Sequence, residues 1–78
     1  MMYDKVTVIQ FSNLIELEAF VKAAGDCEFE IDAKYNRIII DAKSLLGMIG
    51  LGLRKNIEVC YDGSNERFEK LVAKFAVA

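Results

Sequence analysis

The sequence has 78 residues, of which 54% are hydrophobic and 28% charged, and its formal net charge is −2. This length leaves room for one hydrophobic core and excludes a second domain, so we expect a single domain over residues 1–78. The ten basic residues are scattered along the chain, which argues against a nucleic-acid-binding surface. The N-terminus does not resemble a signal peptide, and the longest apolar run is too short to cross a bilayer. We therefore expect a cytoplasmic protein without membrane insertion.

The chemistry open to this chain is limited because it contains no histidine. It cannot carry a phosphoryl group on an imidazole, and a zinc site built on Cys27 and Cys60 would need carboxylates to complete it. We expect no metal, no cofactor and no disulfide, since the strand pattern places the two cysteines on opposite faces of a sheet. No nucleophile has a base beside it, so an enzyme is not expected either.

The first half of the chain predicts a strand followed by a helix. Residues 3–9 are rich in β-branched side chains and predict the strand. Apolar residues then recur at steps of three, four and seven, which is typical of a helix, at Leu14, Leu17, Phe20, Val21 and Ala24. Asn13 is a suitable N-cap, and Glu16 completes a capping-box pattern. We expect Gly25 to end the helix in the left-handed conformation.

The second half predicts a hairpin, a short helix, a strand and a last helix. Alternation over residues 27–35 predicts a half-buried strand, and Asn36 tolerates the positive φ of a turn into a strand at 38–40. A short helix over 44–52 has Ser44 as its N-cap, and a fourth strand covers 56–61. Ser64 is expected to cap the last helix, whose apolar stripe contains Phe68, Leu71, Val72 and Phe75.

The element order is therefore β-α-β-β-α-β-α, which indicates an α+β fold, a two-layer α/β sandwich. Each helix has one apolar stripe and the clearest strands have one polar face, so we expect an antiparallel sheet with all helices on one side. Ile39, Cys60 and Ile9 are predicted to face the open side of the sheet. An apolar spot there is compatible with self-association or with a mildly apolar sheet face.

The segment 43–53, KSLLGMIGLGL, resembles the central segment of HPr, the histidine-containing phosphocarrier of the bacterial sugar phosphotransferase system. The family usually has KSIMGVMSLG at this place. Like residues also occur at 5–7, 21, 35–36 and 57–59, so that the resemblance covers nearly the whole chain without a gap. It implies the family's four-stranded antiparallel sheet in the order 1-4-2-3, under three helices.

The resemblance breaks down where the family carries phosphate. HPr begins its first helix with the pattern Gly-x-His-x-Arg-Pro-Ala, whose histidine accepts phosphate from phosphorylated enzyme I. On this alignment Asn13 stands at the histidine, Ile15 at the arginine, Glu16 at the proline and Leu17 at the alanine. Asparagine has no basic nitrogen, isoleucine cannot pair with a phosphate, and Glu16 and Glu18 add negative charge near the helix start. The resemblance thus implies that carrier activity is lost and that no catalytic residue remains.

Two features of the central helix are candidates for a function. Ser44 matches the serine that a dedicated kinase phosphorylates in many Gram-positive members, although a serine here can also serve only as a helix cap. Leu45, Leu46 and Ile49 occupy positions that form an exposed apolar patch in the family, where it contacts enzymes and regulators. The alternative is that some of them turn into the core.

From these observations we expect an HPr-like protein without histidine phosphocarrier activity, which binds protein partners through its short central helix as a binding or regulatory module. One alternative is a signalling protein that is phosphorylated on Ser44 and acts on a transcriptional regulator. Another is a homo-oligomeric structural domain without a ligand.

Overall fold

The computed structural model describes residues 3–77, so the ends of the predicted domain, Met1, Met2 and Ala78, lie outside the described residues. The elements are β1 (Lys5–Ile9), α1 (Leu14–Gly25), β2 (Ile31–Tyr35), β3 (Ile38–Asp41), α2 (Leu45–Leu51), β4 (Ile57–Tyr61) and α3 (Glu66–Phe75). This is the predicted order. The strands form one antiparallel sheet in the order β1-β4-β2-β3, which confirms the α+β fold that was expected.

Strand β4 lies in the middle of the sheet and carries most of its buried surface. Its side chains at Ile57, Val59 and Tyr61 point to the helices and are at most 3% exposed. Directly opposed residues of neighbouring strands share a face, so β1 and β2 contribute their partners of these residues to the same side. One face of the sheet is thereby apolar and packs against all three helices.

The two long helices bury the stripes that the sequence pattern indicates. Helix α1 buries Leu17, Phe20, Val21, Ala23 and Ala24, and α3 buries Phe68, Val72 and Phe75. Full burial of a side chain such as Leu or Phe contributes about 1.5–3 kcal/mol, so these stripes are a major source of stability for a domain of this size. Leu14, predicted in the stripe of α1, is 49% exposed because it is the first residue of the helix.

Two of the predicted helix ends are wrong. Gly25 belongs to α1 and its φ is not positive; the helix ends on Asp26, whose N–H donates to the carbonyls of Ala23 and Ala24. Helix α3 is capped by Asn65, whose side chain accepts the N–H of Phe68 at 2.9 Å. Ser64 lies one residue too early and donates its hydroxyl to a carboxylate of α3 instead.

Three predicted strands begin earlier than the observed ones, β4 by a single residue, and one residue faces the other way. Strand β2 begins at Ile31 and not at residue 27, and β1 begins at Lys5 and not at residue 3. Ile9 was expected on the open side of the sheet but is fully buried in the core. The reason is its register: Ile9 lies opposite Ile57, whose side chain points to the helices. Ile39 is 60% exposed, in agreement with the prediction.

The hairpin between β2 and β3 is formed as predicted. Tyr35 lies opposite Ile38, which leaves a two-residue turn, and Asn36 has a φ of 54°. Asparagine tolerates this left-handed conformation better than most residues, because its short side chain can bond locally. The turn fixes which residues of β3 face the helices and which face the open side.

A polar network joins β1, β4 and α3 at one end of the sheet. The ammonium group of Lys5 lies 2.6 Å from Oε1 of Glu69, which also accepts the hydroxyl of Tyr61 at 3.3 Å. Ser64 donates to Oε2 of the same carboxylate at 3.2 Å. The hydrogen bond from Lys5 is the main reason why the pKa of Glu69 is lowered. Burial, with the nearby Glu69 charge second, raises the pKa of Tyr61 to about 12.

This network makes the stability depend on pH in the acid range. Because the pKa of Glu69 is lowered by folding, its contribution is complete above the ordinary value of 4.5 and is lost as the pH falls through the folded value. Urea unfolding measured between pH 7 and pH 3 should therefore show a shallower loss of stability in Glu69→Gln than in the parent protein.

The matched control for this prediction is Glu66→Gln, which removes a more exposed ion pair with Lys70. It should follow the pH dependence of the parent protein, since exposed pairs of this kind contribute little. Equal slopes for Glu69→Gln and the parent would show that the network does not stabilise the fold.

Candidate functional site

The start of helix α1 holds the residues that the resemblance to HPr aligns with a phosphate-carrying site. Asn13 is the N-cap: its Oδ1 accepts the N–H of Glu16 at 2.9 Å. Oε1 of Glu16 in turn accepts the N–H of Ser12 at 2.7 Å. The predicted capping box is thus present in a modified form. The Glu16 side chain bonds the N–H of Ser12, the residue before the cap, and not the N–H of Asn13. Two of the N–H groups at this end of the helix bind side-chain oxygens of the chain itself.

This arrangement is unfavourable for an anion. A helix N-terminus binds phosphate through free N–H groups and a positive local potential. Here the carboxylate of Glu16 bonds the N–H of Ser12, just before the cap, and brings a negative charge to this end of the helix. Ile15 is 78% exposed and supplies no donor for an anion.

The loop after α2 is fixed to the segment before α1. Arg54, which has a φ of 57°, donates its N–H to the carbonyl of Phe11 at 2.8 Å. Phe11 is fully buried and lies shortly before α1, while Arg54 lies shortly after α2. The start of α1 and the end of α2 therefore lie close together in the fold.

Helix α2 has one buried side and one exposed side. Met48 and Leu51 are at most 3% exposed, whereas the three predicted partner-binding residues point outward: Leu45 is 39%, Leu46 is 83% and Ile49 is 43% exposed. Of the two arrangements that the sequence left open, the structure has the exposed one. The three side chains form an apolar surface that we call the α2 patch.

The rotation of α2 is set by close packing on β3. A Cβ on Gly47 would lie only 2.5 Å from Cγ2 of Ile40, so this position has room for glycine alone unless the isoleucine moves. Ser44 caps the helix as predicted, because its Oγ accepts the N–H of Gly47 at 3.1 Å. The Ser44 side chain is exposed, and its hydroxyl is accessible at the end of the helix.

The sequence analysis missed apolar surface on the neighbouring helix. Leu14 and Ile15 are 49% and 78% exposed at the start of α1, which packs against α2. A signal was available for Ile15, since it lies outside the apolar stripe of its helix. No such signal existed for Leu14, which fits the spacing of the stripe. The helix that packs against α2 therefore carries exposed apolar side chains of its own.

Cys60 lies on the open face of the sheet, as predicted, but another part of the chain covers it there. This residue points away from the helices, as expected, but it is only 2% exposed. Tyr3 reaches over β4 to donate its hydroxyl to Asp32, the partner of Cys60 on β2, and Lys34 lies 5.6 Å from the centre of the Tyr3 ring. The aromatic ring thus covers a thiol that the strand pattern alone would leave in solvent.

Neither cysteine has the properties of a reactive or ligating thiol. Cys27 and Cys60 are both free and buried on opposite sides of the sheet, and burial raises the pKa of each. A raised pKa lowers the thiolate fraction, which is the nucleophilic form. Within residues 3–77, no group of three or more Cys, Asp or Glu residues is placed to hold a metal ion.

Two small hollows lie on the surface of the described residues. One, of about 210 Å³, lies between α1 and α3 and is lined by Ala19, Lys22, Ala23, Asp26, Arg67 and Leu71. Another, of about 260 Å³, lies beside Phe29 and Asn65. Sites for small molecules typically enclose about 300–1,000 Å³. None of the helices in residues 3–77 has the length and apolar character needed to cross a membrane.

The cover over Cys60 leads to a test of thiol reactivity. In Tyr3→Ala the thiol of Cys60 should react with an aromatic disulfide reagent faster than in the parent protein, because its cover and the adjacent hydrogen bond are gone. The rate at Cys27 should not change, since that thiol lies in the core on the other side. Mass spectrometry of the labelled peptides separates the two sites, and an unchanged rate at Cys60 would contradict the assignment of Tyr3 as its cover.

Comparison with known proteins gives no relative for this chain. No family model matches it, and neither the curated proteins nor the solved structures contain a match. Function is therefore argued from the exposed side chains, the helix caps and the fold described above.

Proposed function

We propose that this chain is an HPr-like protein of the sugar phosphotransferase system of bacteria, which has no phosphocarrier activity and acts in the cytoplasm as a protein-binding or regulatory module. The resemblance of residues 43–53 to the central HPr segment supports this proposal. The sheet order β1-β4-β2-β3 agrees with what that resemblance implies. Binding of partners, and not chemistry, would then be the role of the chain.

The observation that carries the proposal is the exposed side of α2. Leu46 is 83% exposed, and Leu45 and Ile49 flank it on the same short helix. Single exposed leucines are ordinary on protein surfaces, but adjacent ones on one helix form a contiguous apolar surface of the kind found at protein interfaces. Ile15 and Leu14 extend the exposed apolar area onto the neighbouring helix α1. The partner would therefore contact both helices.

The helix cap at Asn13 supports the loss of carrier activity. The position aligned with the phosphate-accepting histidine is used to bond the N–H of Glu16, and Glu16 itself bonds the N–H of Ser12. A phosphoryl group placed here would be repelled by the negative charge of Glu16 and would gain no arginine at residue 15. Restoring the histidine alone would not restore the site.

Binding to enzyme I of the phosphotransferase system tests the proposal. Titration of the ¹⁵N-labelled protein with enzyme I should shift the amide signals of Leu45, Leu46 and Ile49, and Leu46→Asp should weaken binding at least about tenfold, as expected when a central apolar contact is lost. The control is Val6→Asp, which changes another exposed apolar side chain, 56% exposed, on the open face of the sheet. Absence of any shift with the parent protein would count against the proposal.

Phosphoryl transfer is tested with the same enzyme. Incubation with enzyme I and phosphoenolpyruvate should give no acid-labile label on the parent protein. Asn13→His should also remain unlabelled, because Ile15 and Glu16 still oppose a phosphate at this helix end. Stoichiometric labelling of the parent protein would refute the loss of carrier activity.

A second candidate function is signalling through phosphorylation of Ser44, followed by action on a transcriptional regulator. The exposed Ser44 hydroxyl at the start of α2 favours this alternative. A phosphate on an N-cap serine interacts with the positive end of the helix, and it would stand next to Leu45 of the α2 patch. The modification could thereby change which partner the patch accepts.

The second candidate is tested with an HPr kinase. The kinase should add one acid-stable phosphate to the parent protein, and Ser44→Ala should abolish it. That variant also loses a cap, which costs about 1 kcal/mol of stability. Asn13→Ala is the matched control, because it loses a comparable cap on α1 but should still be labelled. If the parent protein takes up no phosphate, Ser44 serves only as a helix cap.

A further inference from the structure

The two edges of the sheet are covered to different degrees. The outer edge of β1 is met by the C-terminal segment of the chain itself: Val77 donates its N–H to the carbonyl of Val8, and Gln10 donates its N–H to the carbonyl of Phe75, both at 3.0 Å. The outer edge of β3 has no such strand beside it among the described residues. An uncovered edge is a template for pairing with another chain.

The register identifies which backbone groups of β3 point outward. Ala42 donates its N–H to the carbonyl of Ile31 at 2.9 Å, so that the pairs 33/40 and 35/38 are the hydrogen-bonded ones. The N–H and C=O groups of Ile39 and Asp41 consequently face away from β2. The carbonyl of Asp41 accepts the N–H of Ser44 at 2.9 Å, which leaves both backbone groups of Ile39 and the N–H of Asp41 for a further strand.

The side chains of β3 do not protect this edge. Natural edge strands are commonly blunted by lysine, proline or a bulge, whereas β3 has the sequence IIID in regular pairing with β2. Ile38 is 51% and Ile39 is 60% exposed. The edge is therefore regular and mostly apolar, with Asp41 as the charged residue of β3, and its length of four residues limits pairing.

We propose that β3 pairs antiparallel with β3 of a second copy of this chain, with Ile39 opposite Ile39 across a two-fold axis. Residues 37 and 41 are equally far from the centre, so Arg37, the turn residue directly before β3, would lie beside Asp41 of the other chain. Ile38 likewise lies opposite Ile40. In this register isoleucine side chains lie opposite isoleucine side chains, and an arginine lies beside an aspartate at two symmetric places. A two-fold interface requires such self-complementarity.

A charge conflict within one chain supports a cationic neighbour at this place. Asp32 and Asp41 lie directly opposite each other on β2 and β3, where like charges destabilise a sheet. Within residues 3–77, neither carboxylate forms an ion pair; Asp32 accepts the hydroxyl of Tyr3, and Asp41 accepts the N–H of Lys43 at 2.9 Å. Arg37 of the second copy would supply the missing positive charge.

The expected dimer is weak, because such a short edge buries little surface. Interfaces below about 1,200 Å² belong to transient complexes. Association should therefore be reversible and depend on protein concentration. It uses the sheet edge and not the α2 patch, so this proposal and the proposed function can fail separately.

Sedimentation equilibrium with charge-exchanged variants tests the proposed register. The parent protein should dimerise reversibly, and Arg37→Asp or Asp41→Arg alone should weaken dimerisation about tenfold, since each replaces two attractive pairs by repulsive ones. An equimolar mixture of the two variants should associate again. The aspartate introduced at position 37 of one chain then meets the arginine introduced at position 41 of the other, while the native pair is kept on the second side.

A control variant and a local measurement complete the test. Val6→Lys changes the open face at the opposite edge and should leave the dimerisation constant unaltered, whereas Ile39→Lys should abolish dimerisation. In the parent protein the amide protons of Ile39 and Asp41 should exchange more slowly as the concentration rises, while those of Ile38 and Ile40 should already be protected by β2. If Asp41→Arg does not fold by circular dichroism, the exchange measurement decides alone.

The proposal is refuted by a parent protein that remains monomeric at every concentration. It is also refuted by a dimer that Val6→Lys disrupts and Ile39→Lys does not, since association would then use the face of the sheet. Failure of the two charge variants to associate when mixed, with both folded, would refute the register.

Discussion

A continuous line of aromatic rings joins the two layers of this domain. Successive ring centroids are 5.2–5.7 Å apart along the line Phe75, Phe11, Phe20, Phe68, Tyr61 and Phe29. Contacts of this kind add about 0.5–1.5 kcal/mol each to the burial of the rings. Because the line passes from α3 to α1, back to α3 and then to β4, it fixes how both helices are rotated on the sheet. The line ends where Gly63 gives Phe29 room, since a Cβ on Gly63 would overlap the ring.

The short helix α2 stands outside this aromatic line and is fixed in another way. It contributes Met48 and Leu51 to the core and lies close to β3 because Gly47 has no side chain. A helix of two turns cannot bury more than one side when it packs at such a distance. The exposure of Leu46 is therefore a consequence of how α2 is held against β3.

The pattern of apolar residues was sufficient for the elements and the layers, but the strand order was obtained from the family resemblance. Alternation in β4 and the stripes of α1 and α3 are signals that extend over several residues and determine large buried areas. The wrong predictions, and the unforeseen burial of Cys60, occur where a single contact determines a helix end or the surroundings of a side chain. Asn65 and Ser64 are both good caps by residue type, Ile9 is oriented by its register with β4, and Cys60 is covered by a tyrosine far away in sequence. The sequence named Leu45, Leu46 and Ile49 as candidates and left their orientation open, and their exposure follows from the packing of Gly47 on Ile40.

Helix caps and anion sites compete for the same backbone donors. In α1 the side chains of Asn13 and Glu16 accept the N–H groups of Glu16 and Ser12, and the Glu16 carboxylate adds a negative charge at this helix end. At α2 the donor of Gly47 is bonded to the uncharged Ser44 hydroxyl, and the first turn of that helix has no acidic residue. The two caps therefore differ in the charge that they place at the start of the helix. The first carries a carboxylate that repels an added negative charge, whereas the second has an uncharged cap beside exposed apolar side chains.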